Sequence, residues 1–360
     1  MKKLNFLYLM IFSFLFMACG NNNEHEGDWG KAPEFGGVSR VGAVCFKIND
    51  VVYVGLGYDG ERETGEKEMT DFWKFENGVW IQVASFPGEG RFDAVAFVVG
   101  NKAYVGTGFR PERNDQYRKY YKDFYEFDAT TETWNPVAIT SFPGDARRGA
   151  VAFSLGNKGY VGTGAIDANT VVKDFYSYEP STDTWTSIGF PGDSRRGAST
   201  FVIDDIAYVC LGSANSGTQY KYDMLKYDGT TWSSCNALVN SRHHSWDNNY
   251  GDIPRAYAVA FTSDKAKGEM RAYIATGTGP GSGKVYEYRP KTDRWNEVNK
   301  LSSMMAQRVN AVGFSLNGYG YVLTGGTSAE YAAYQDMWSY TPGIKSDDDN
   351  DYAVSGDITY

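Results

Sequence analysis

The stretch FPGDARRGAVAFSLGNKGYVGTG, residues 142–164, decides the fold, because the chain repeats it. Residues 86–108 read FPGEGRFDAVAFVVGNKAYVGTG, and residues 190–212 read FPGDSRRGASTFVIDDIAYVCLG. Working outward from the shared arginine, an Arg followed three residues later by Ala and six residues later by Phe occurs six times: Arg40/Phe46, Arg91/Phe97, Arg147/Phe153, Arg195/Phe201, Arg255/Phe261 and Arg308/Phe314. Successive arginines lie 51, 56, 48, 60 and 53 residues apart. The third residue after each is Ala (Ala43, Ala94, Ala150, Ala198, Ala258, Ala311). A Tyr with a Gly four residues later follows in every unit: Tyr53/Gly57, Tyr104/Gly108, Tyr160/Gly164, Tyr208/Gly212, Tyr273/Gly277 and Tyr321/Gly325. A period near fifty residues marks an array of supersecondary units.

Each unit reads as four short strands. "GAVAF" alternates a small side (Ala150, Ala152) with a large side (Val151, Phe153), which is the two-residue period of a strand. "KGYVGTG", "DFYSYEP" and "DTWTSIG" follow, separated by Gly, Pro, Asn and Asp. No stretch of the mature chain carries a helical period. The expected fold is all-β: a six-bladed β-propeller with four antiparallel strands per blade, whose small residues face a crowded axis.

The Tyr and paired glycines around the second strand, and the Trp on the fourth, resemble those of kelch-repeat propellers over residues 28–343. The glycine pair is Gly-Thr-Gly or Gly-Leu-Gly in most units and a true doublet only at Gly325-Gly326. This variant is similar to kelch lipoproteins of the Bacteroidetes, a group often called galactose-oxidase-like. A copper oxidase of that name needs separated Tyr, His and Cys ligands, and this chain supplies no such set, so neither a metal nor another cofactor is expected.

The sixth unit lacks a fourth strand carrying a Trp. "WGKAPEFGGVSR" (29–40) matches "WIQVASFPGEGR" (80–91) in its Trp-to-Arg interval, so the N-terminal strand is expected to join the last blade and close the ring. Closure also protects the sheet edges.

Net charge is −9 and no long basic run occurs, which sets nucleic acid aside. The start, "MKKLNFLYLMIFSFLFMACG", has two lysines, an apolar run and a small residue before Cys19. It reads as a secretory signal too short for a transmembrane span, and Ala18-Cys19 resembles a bacterial lipobox. The expected organisation is a signal peptide (1–18), a lipidated flexible tether (19–27), the propeller (28–343) and an acidic tail (344–360). Contact with membrane would be through the lipid at Cys19 alone, with an outer-membrane address in the cell envelope. Cys45, Cys210 and Cys235 are expected to be free thiols. The last two are separated by an intervening strand, which exceeds the reach of a disulfide.

Strand direction puts the FPG loops, the variable second-to-third loops and all six arginines on one face. Two readings stand for Arg40, Arg91, Arg147, Arg195, Arg255 and Arg308. Each ties adjacent blades together through carbonyls or an acid such as Glu89, Asp145 or Asp193, or the six form an anion-binding mouth, since guanidinium forks suit carboxylates. Tyr117, Tyr120 and Tyr121, in the basic loop 109–121, are candidates to stack on sugar rings. The long loop 241–255 holds His243, His244, Trp246, Asp247 and Asp252. Trp246 is a candidate ligand contact, and His244, Asp247 and Asp252 are the candidates for acid–base chemistry.

The leading expectation is a lipid-anchored, non-catalytic binding or scaffold protein whose ligand is an anionic glycan or a protein. The alternative, implied by resemblance to the kelch sialic acid epimerases of bacteria, is an isomerase acting on a sugar acid.

Overall fold

The protein is described by a computed structural model covering residues 26–112, 117–214, 219–237, 254–328 and 332–345. Six four-stranded antiparallel sheets are arranged as the blades of a propeller, and no helix occurs among the described residues. Blade one comprises Val44–Ile48, Val51–Gly55, Phe72–Glu76 and Val79–Val83, ordered outward from the axis. Blade six takes Val312–Leu316, Tyr319–Leu323 and Met337–Lys345 from the C-terminal part, and Glu26–Ala32 from the N-terminal part. Trp29 sits opposite Tyr340, with ring centroids 4.8 Å apart, and its Nε1 donates to the Lys300 carbonyl of blade five at 3.0 Å. The N-terminal strand closes the ring as its alignment predicts.

The repeated residues explain how blades form and stack. In every blade the motif Phe lies against the motif Tyr of the next strand, at 4.8 to 5.4 Å with planes 12° to 17° apart. The same Phe or Tyr also reaches the next blade, as in Phe46–Phe127 and Phe261–Tyr340. Apolar area removed from water between sheets, worth roughly 25 cal/mol per Å2, is thus shared by neighbours. The small side of the inner strand faces the axis, where all six motif alanines line one cavity.

Main-chain bonds lock this arrangement at the loop face. The N–H of each closing glycine donates to the carbonyl of the motif Arg in the following blade: Gly57 to Arg91, Gly108 to Arg147, Gly164 to Arg195, Gly212 to Arg255, Gly277 to Arg308 and Gly325 to Arg40. Nearer the axis, the residue two after each motif Arg has a left-handed backbone: Gly42, Asp93, Gly149, Gly197, Tyr257 and Asn310 have φ between 51° and 61°. These residues hand hydrogen bonds around the axis. Asp93 N donates to Gly42 O, Gly149 N to Asp93 O, Gly197 N to Gly149 O, Tyr257 N to Gly197 O and Gly42 N to Asn310 O.

The first glycine of Gly-x-Gly has a steric cause. A Cβ on Gly55, Gly106 or Gly162 would fall 2.0–2.3 Å from the ring of Phe72, Phe124 or Phe175. Where Met224 or Met337 replaces that Phe, the same position holds Cys210 or Leu323. Cys45, Cys210 and Cys235 are all free.

Candidate functional site at the axial mouth

The six motif arginines do not form an open mouth. All six are 0% exposed. In five blades the cause is a carboxylate at the start of the third strand of the same blade, which draws the guanidinium outward, away from the axis. Arg40 grips Asp71 with two bonds of 2.8 and 2.9 Å, Arg147 grips Asp174 at 2.5 and 2.7 Å, and Arg195 grips Asp223 at 2.7 and 2.6 Å. Arg308–Asp336 and Arg91–Asp123 repeat the fork. Each Arg Nη1 also donates to the carbonyl of the left-handed residue before the closing glycine, for example Thr163 O at 3.0 Å. Bidentate, fully bonded geometry is what makes a buried cation tolerable. The expected partners Glu89, Asp145 and Asp193 instead lend only their backbone carbonyls, to Arg Nε. The aspartates keep an edge in water, at 24 to 44% side-chain exposure. This ring therefore shows solvent its acidic side.

Blade five breaks the rule. Lys284 stands where the other blades have Asp, and Arg255 is held by the carbonyls of Thr276, Gly281 and Lys284 instead. With no carboxylate beside it, burial lowers the Arg255 pKa to about 10.

The groups at the axis come from the two positions that follow the motif Arg. Three of the left-handed ring residues are glycines, and the other three spread side chains over them. A Cβ on Gly197 would lie 2.9 Å from the Tyr257 ring, and one on Gly149 would lie 3.3 Å from the Tyr257 hydroxyl, so that ring rests on bare backbone. Across the axis, Asn310 Nδ2 donates to Asp93 Oδ1 at 3.0 Å above Gly42. These residues and the six alanines enclose a cavity of about 120 Å3.

Two further guanidiniums border the same point. Arg148 approaches Asp93 at 3.9 Å and lies over the Phe109 and Phe92 rings, 4.5 and 5.6 Å from their centroids. Arg196 is half-buried and has no side-chain hydrogen bond or ion pair among the described residues; its Nε is buried without a partner. Burial and the Asp93 charge push the half-buried Tyr257 phenol up to about 12, while Arg148 and Arg196 pull it down. Tyr58, Phe92 and Phe109 form a buried aromatic cluster on the side of blades one and two, with half-buried Tyr120 packed against it. The mouth thus sets a phenol, a carboxylate and two cations beside an aromatic cluster.

The remaining sequence candidates disperse. Tyr121 is 4% exposed: its ring lies under the Arg91 guanidinium at 3.7 Å and its hydroxyl donates to Glu89, so it is part of the scaffold. Tyr117 is 84% exposed at the loop tip. His243, His244, Trp246, Asp247, Asp252 and Cys19 lie outside the described residues. Among the described residues, no cluster of His, Cys, Asp and Glu could hold a metal. Asp93, Arg148, Arg196, Tyr257 and Asn310 were not singled out from sequence. Their signal is the variation at two fixed positions after the motif Arg, where two of six units carry Arg-Arg.

Comparison with known proteins agrees with the fold. Residues 28–212 match the family model described as the KLHDC2/KLHL20/DRC7 Kelch-repeats domain, just over half of the chain. The chain belongs to the kelch-repeat family. Among curated proteins it is similar to the N-acetylneuraminate epimerase of Salmonella typhi, 25% identical over 163 residues that make up 40% of each chain. It is also similar to the N-acetylneuraminate epimerase of Yersinia pestis, 34% identical over 36% of this chain and 31% of that one. A kelch domain-containing protein of Vibrio cholerae is 34% identical over 26% of this chain and 25% of that one. The chain spans at most 40% of the length of these relatives. The solved structure of YjhT superposes with a TM-score of 0.66 at 19% identity, covering 85% of this chain and 95% of that one, a likeness of fold.

Proposed function

We propose that this propeller binds a carboxylated sugar at the axial mouth of its loop face. Arg196 carries the reading: a half-buried guanidinium near Tyr257, with no protein partner among the described residues, is a waiting donor for a carboxylate. Half-buried Tyr120, backed by the buried Phe109, offers an apolar edge to a sugar ring. The names of the curated relatives support the same ligand class. Isothermal titration with N-acetylneuraminate, glucuronate and an acidic peptide tests it. A sugar acid is expected to bind, and Arg196→Ala to weaken it about tenfold or more, since a hydrogen bond to a charged group is worth about 1.5–3 kcal/mol. Binding of the peptide alone, or affinity unchanged in Arg196→Ala, overturns it.

A second reading, isomerisation at the anomeric carbon, is favoured by Asp93 and Tyr257 standing at one mouth. Asp93 would take the proton of the anomeric hydroxyl and Tyr257, protonated at neutral pH, would give its own to the ring oxygen. The ring C–O bond opens to a free carbonyl, and reclosure on the other face with the reverse transfers yields the second anomer. NMR exchange spectroscopy reads this directly: anomer interconversion accelerated by the protein and abolished in Tyr257→Phe supports it, and an unaccelerated rate sinks it. The protein is further proposed to be held at the cell envelope by lipid on Cys19.

A further inference from the structure

The loop face carries a second and larger concavity, of about 660 Å3, off the axis between blades six, one and two. Its walls include Trp73, Arg62, Arg110, Glu66, Glu89 and Gln335. The two concavities are separated by a two-stranded hairpin that rises from blade two, Phe109–Arg110 paired with Lys119–Tyr120. Strand alternation gives this hairpin two faces. Phe109 and Tyr120 face each other at 4.7 Å and join the aromatic cluster beside the axial mouth. Arg110 and Lys119 take the other face, and both bond Glu89 at the rim of the groove.

The groove's chemistry differs from that of the mouth. Its cations are already engaged: Arg110 Nη1 pairs with the Glu89 carboxylate at 2.9 Å, and the Arg62 Nη1 donates to the Glu66 carbonyl at 2.9 Å. With Glu66, Glu68 and Glu89 set beside Arg62 and Arg110, the lining has no excess of positive charge to select an anion. Held rigid by one another, these groups still present spare lone pairs and N–H groups in fixed planes, which suit hydroxyls. Arg110 Nε is buried with no hydrogen-bond partner. Trp73 adds an aromatic surface, its indole N–H already committed to Asp71 at 2.7 Å.

We infer that the groove holds the uncharged sugar residues of an oligosaccharide whose terminal sugar acid occupies the axial mouth. The physiological ligand is then the acidic end of a longer glycan and not a free monosaccharide. This rests on the axial reading proposed above for its acidic end, while the groove makes its own contribution.

The full-length protein should be titrated with three probes: N-acetylneuraminate, lactose, and the trisaccharide 3′-sialyllactose that joins them. The trisaccharide is expected to bind at least tenfold more tightly than the free acid. Arg110→Ala and Trp73→Phe should bring it back to the affinity of the free acid, while leaving the free acid itself unchanged. Glu66→Gln, which keeps shape and removes charge, should cost less than Arg110→Ala. A trisaccharide no tighter than the free acid, or a gain untouched by Arg110→Ala in a protein of unaltered melting temperature, overturns the inference. Loss of the acid alone, with lactose still bound in an Arg110-dependent way, would sink the axial reading and keep the groove as a sugar site.

Discussion

The backbone N–H of Gly325 donates to the carbonyl of Arg40 at 2.9 Å, joining residues from the two ends of the propeller. The bond is the sixth copy of one that links every other pair of neighbouring blades. The seam between first and last blades is therefore built like the other five. The difference is that blade six is completed by a strand from the opposite end of the chain.

Trp29→Ala should test that closure. The side chain is 3% exposed, tilts onto Tyr340 and bonds Lys300 of the adjacent blade. A buried Trp cut back to Ala costs about 3–5 kcal/mol. Urea denaturation should show a loss of this size in one cooperative transition, because an opened ring exposes two sheet edges at once. A change confined to local fluorescence, with an unmoved midpoint, would count against it.

Arg147→Ala should be a stability mutant. Removing one partner of a buried ion pair costs about 3–5 kcal/mol, and the low end applies because Asp174 keeps 31% of its side chain in water. Arg147→Lys should recover only part of the loss, since an ammonium cannot reproduce the two-bond fork and the bond to Thr163 O. Thermal melting of the three proteins measures this.

Acid should loosen the ring through the same pairs. Burial works to raise the Asp71 and Asp336 carboxyls, but the forks from Arg40 and Arg308 outweigh it and hold both below their ordinary 3.8. A carboxyl depressed on folding stabilises the fold fully above its unfolded pKa. That stability drains as pH falls through 3.8 towards the lower folded value. Denaturation midpoints should be flat near neutrality and drop below about pH 4. Asp71→Asn should lower the neutral plateau and make the acid fall shallower.

Lys284→Asp should stabilise the protein. It would give Arg255 the carboxylate its five counterparts have, at the expense of the half-buried Lys284–Glu297 pair at the surface. Surface pairs are worth about 0–1 kcal/mol, less than the relief of a buried unpaired guanidinium. The expected gain of about 1 kcal/mol would raise the melting temperature by roughly 2 °C. A lower melting temperature would mean that the carbonyl cage already satisfies Arg255.

Cys19→Ala should release the proposed membrane anchor. The wild-type protein is expected in the membrane fraction and the variant in the soluble one. Equal partitioning of both would remove the lipid from the account.

Much of this was legible before the fold was known. Repetition at fixed offsets around Arg40 and its five counterparts announced the blades, and the Trp29 alignment announced how they close. The arginines' partners were not legible, because they lie 27 to 32 residues downstream and meet only once the sheet is folded. In retrospect Asp followed by Phe or Met opens the third strand in five blades, and Lys284 interrupts the series. The axial site hid for the opposite reason. Position two after the motif Arg holds Gly, Asp, Gly, Gly, Tyr and Asn, and a search for what repeats passes over what varies. What those six share is a left-handed backbone, which Gly, Asn and Asp adopt at little expense and Tyr257 adopts against preference.

The five main-chain bonds that run around the axis have a consequence for how such proteins diversify. Because amides and carbonyls hold this run together, it has no stake in which side chains rise from it. Gly42, Gly149 and Gly197 supply the bare backbone over which the side chains of Asp93, Tyr257 and Asn310 lie, so the three glycines and the three side chains vary as a set. A handful of point changes at these positions would rewrite the ligand without touching the blades beneath, so recognition here can drift while architecture stands still.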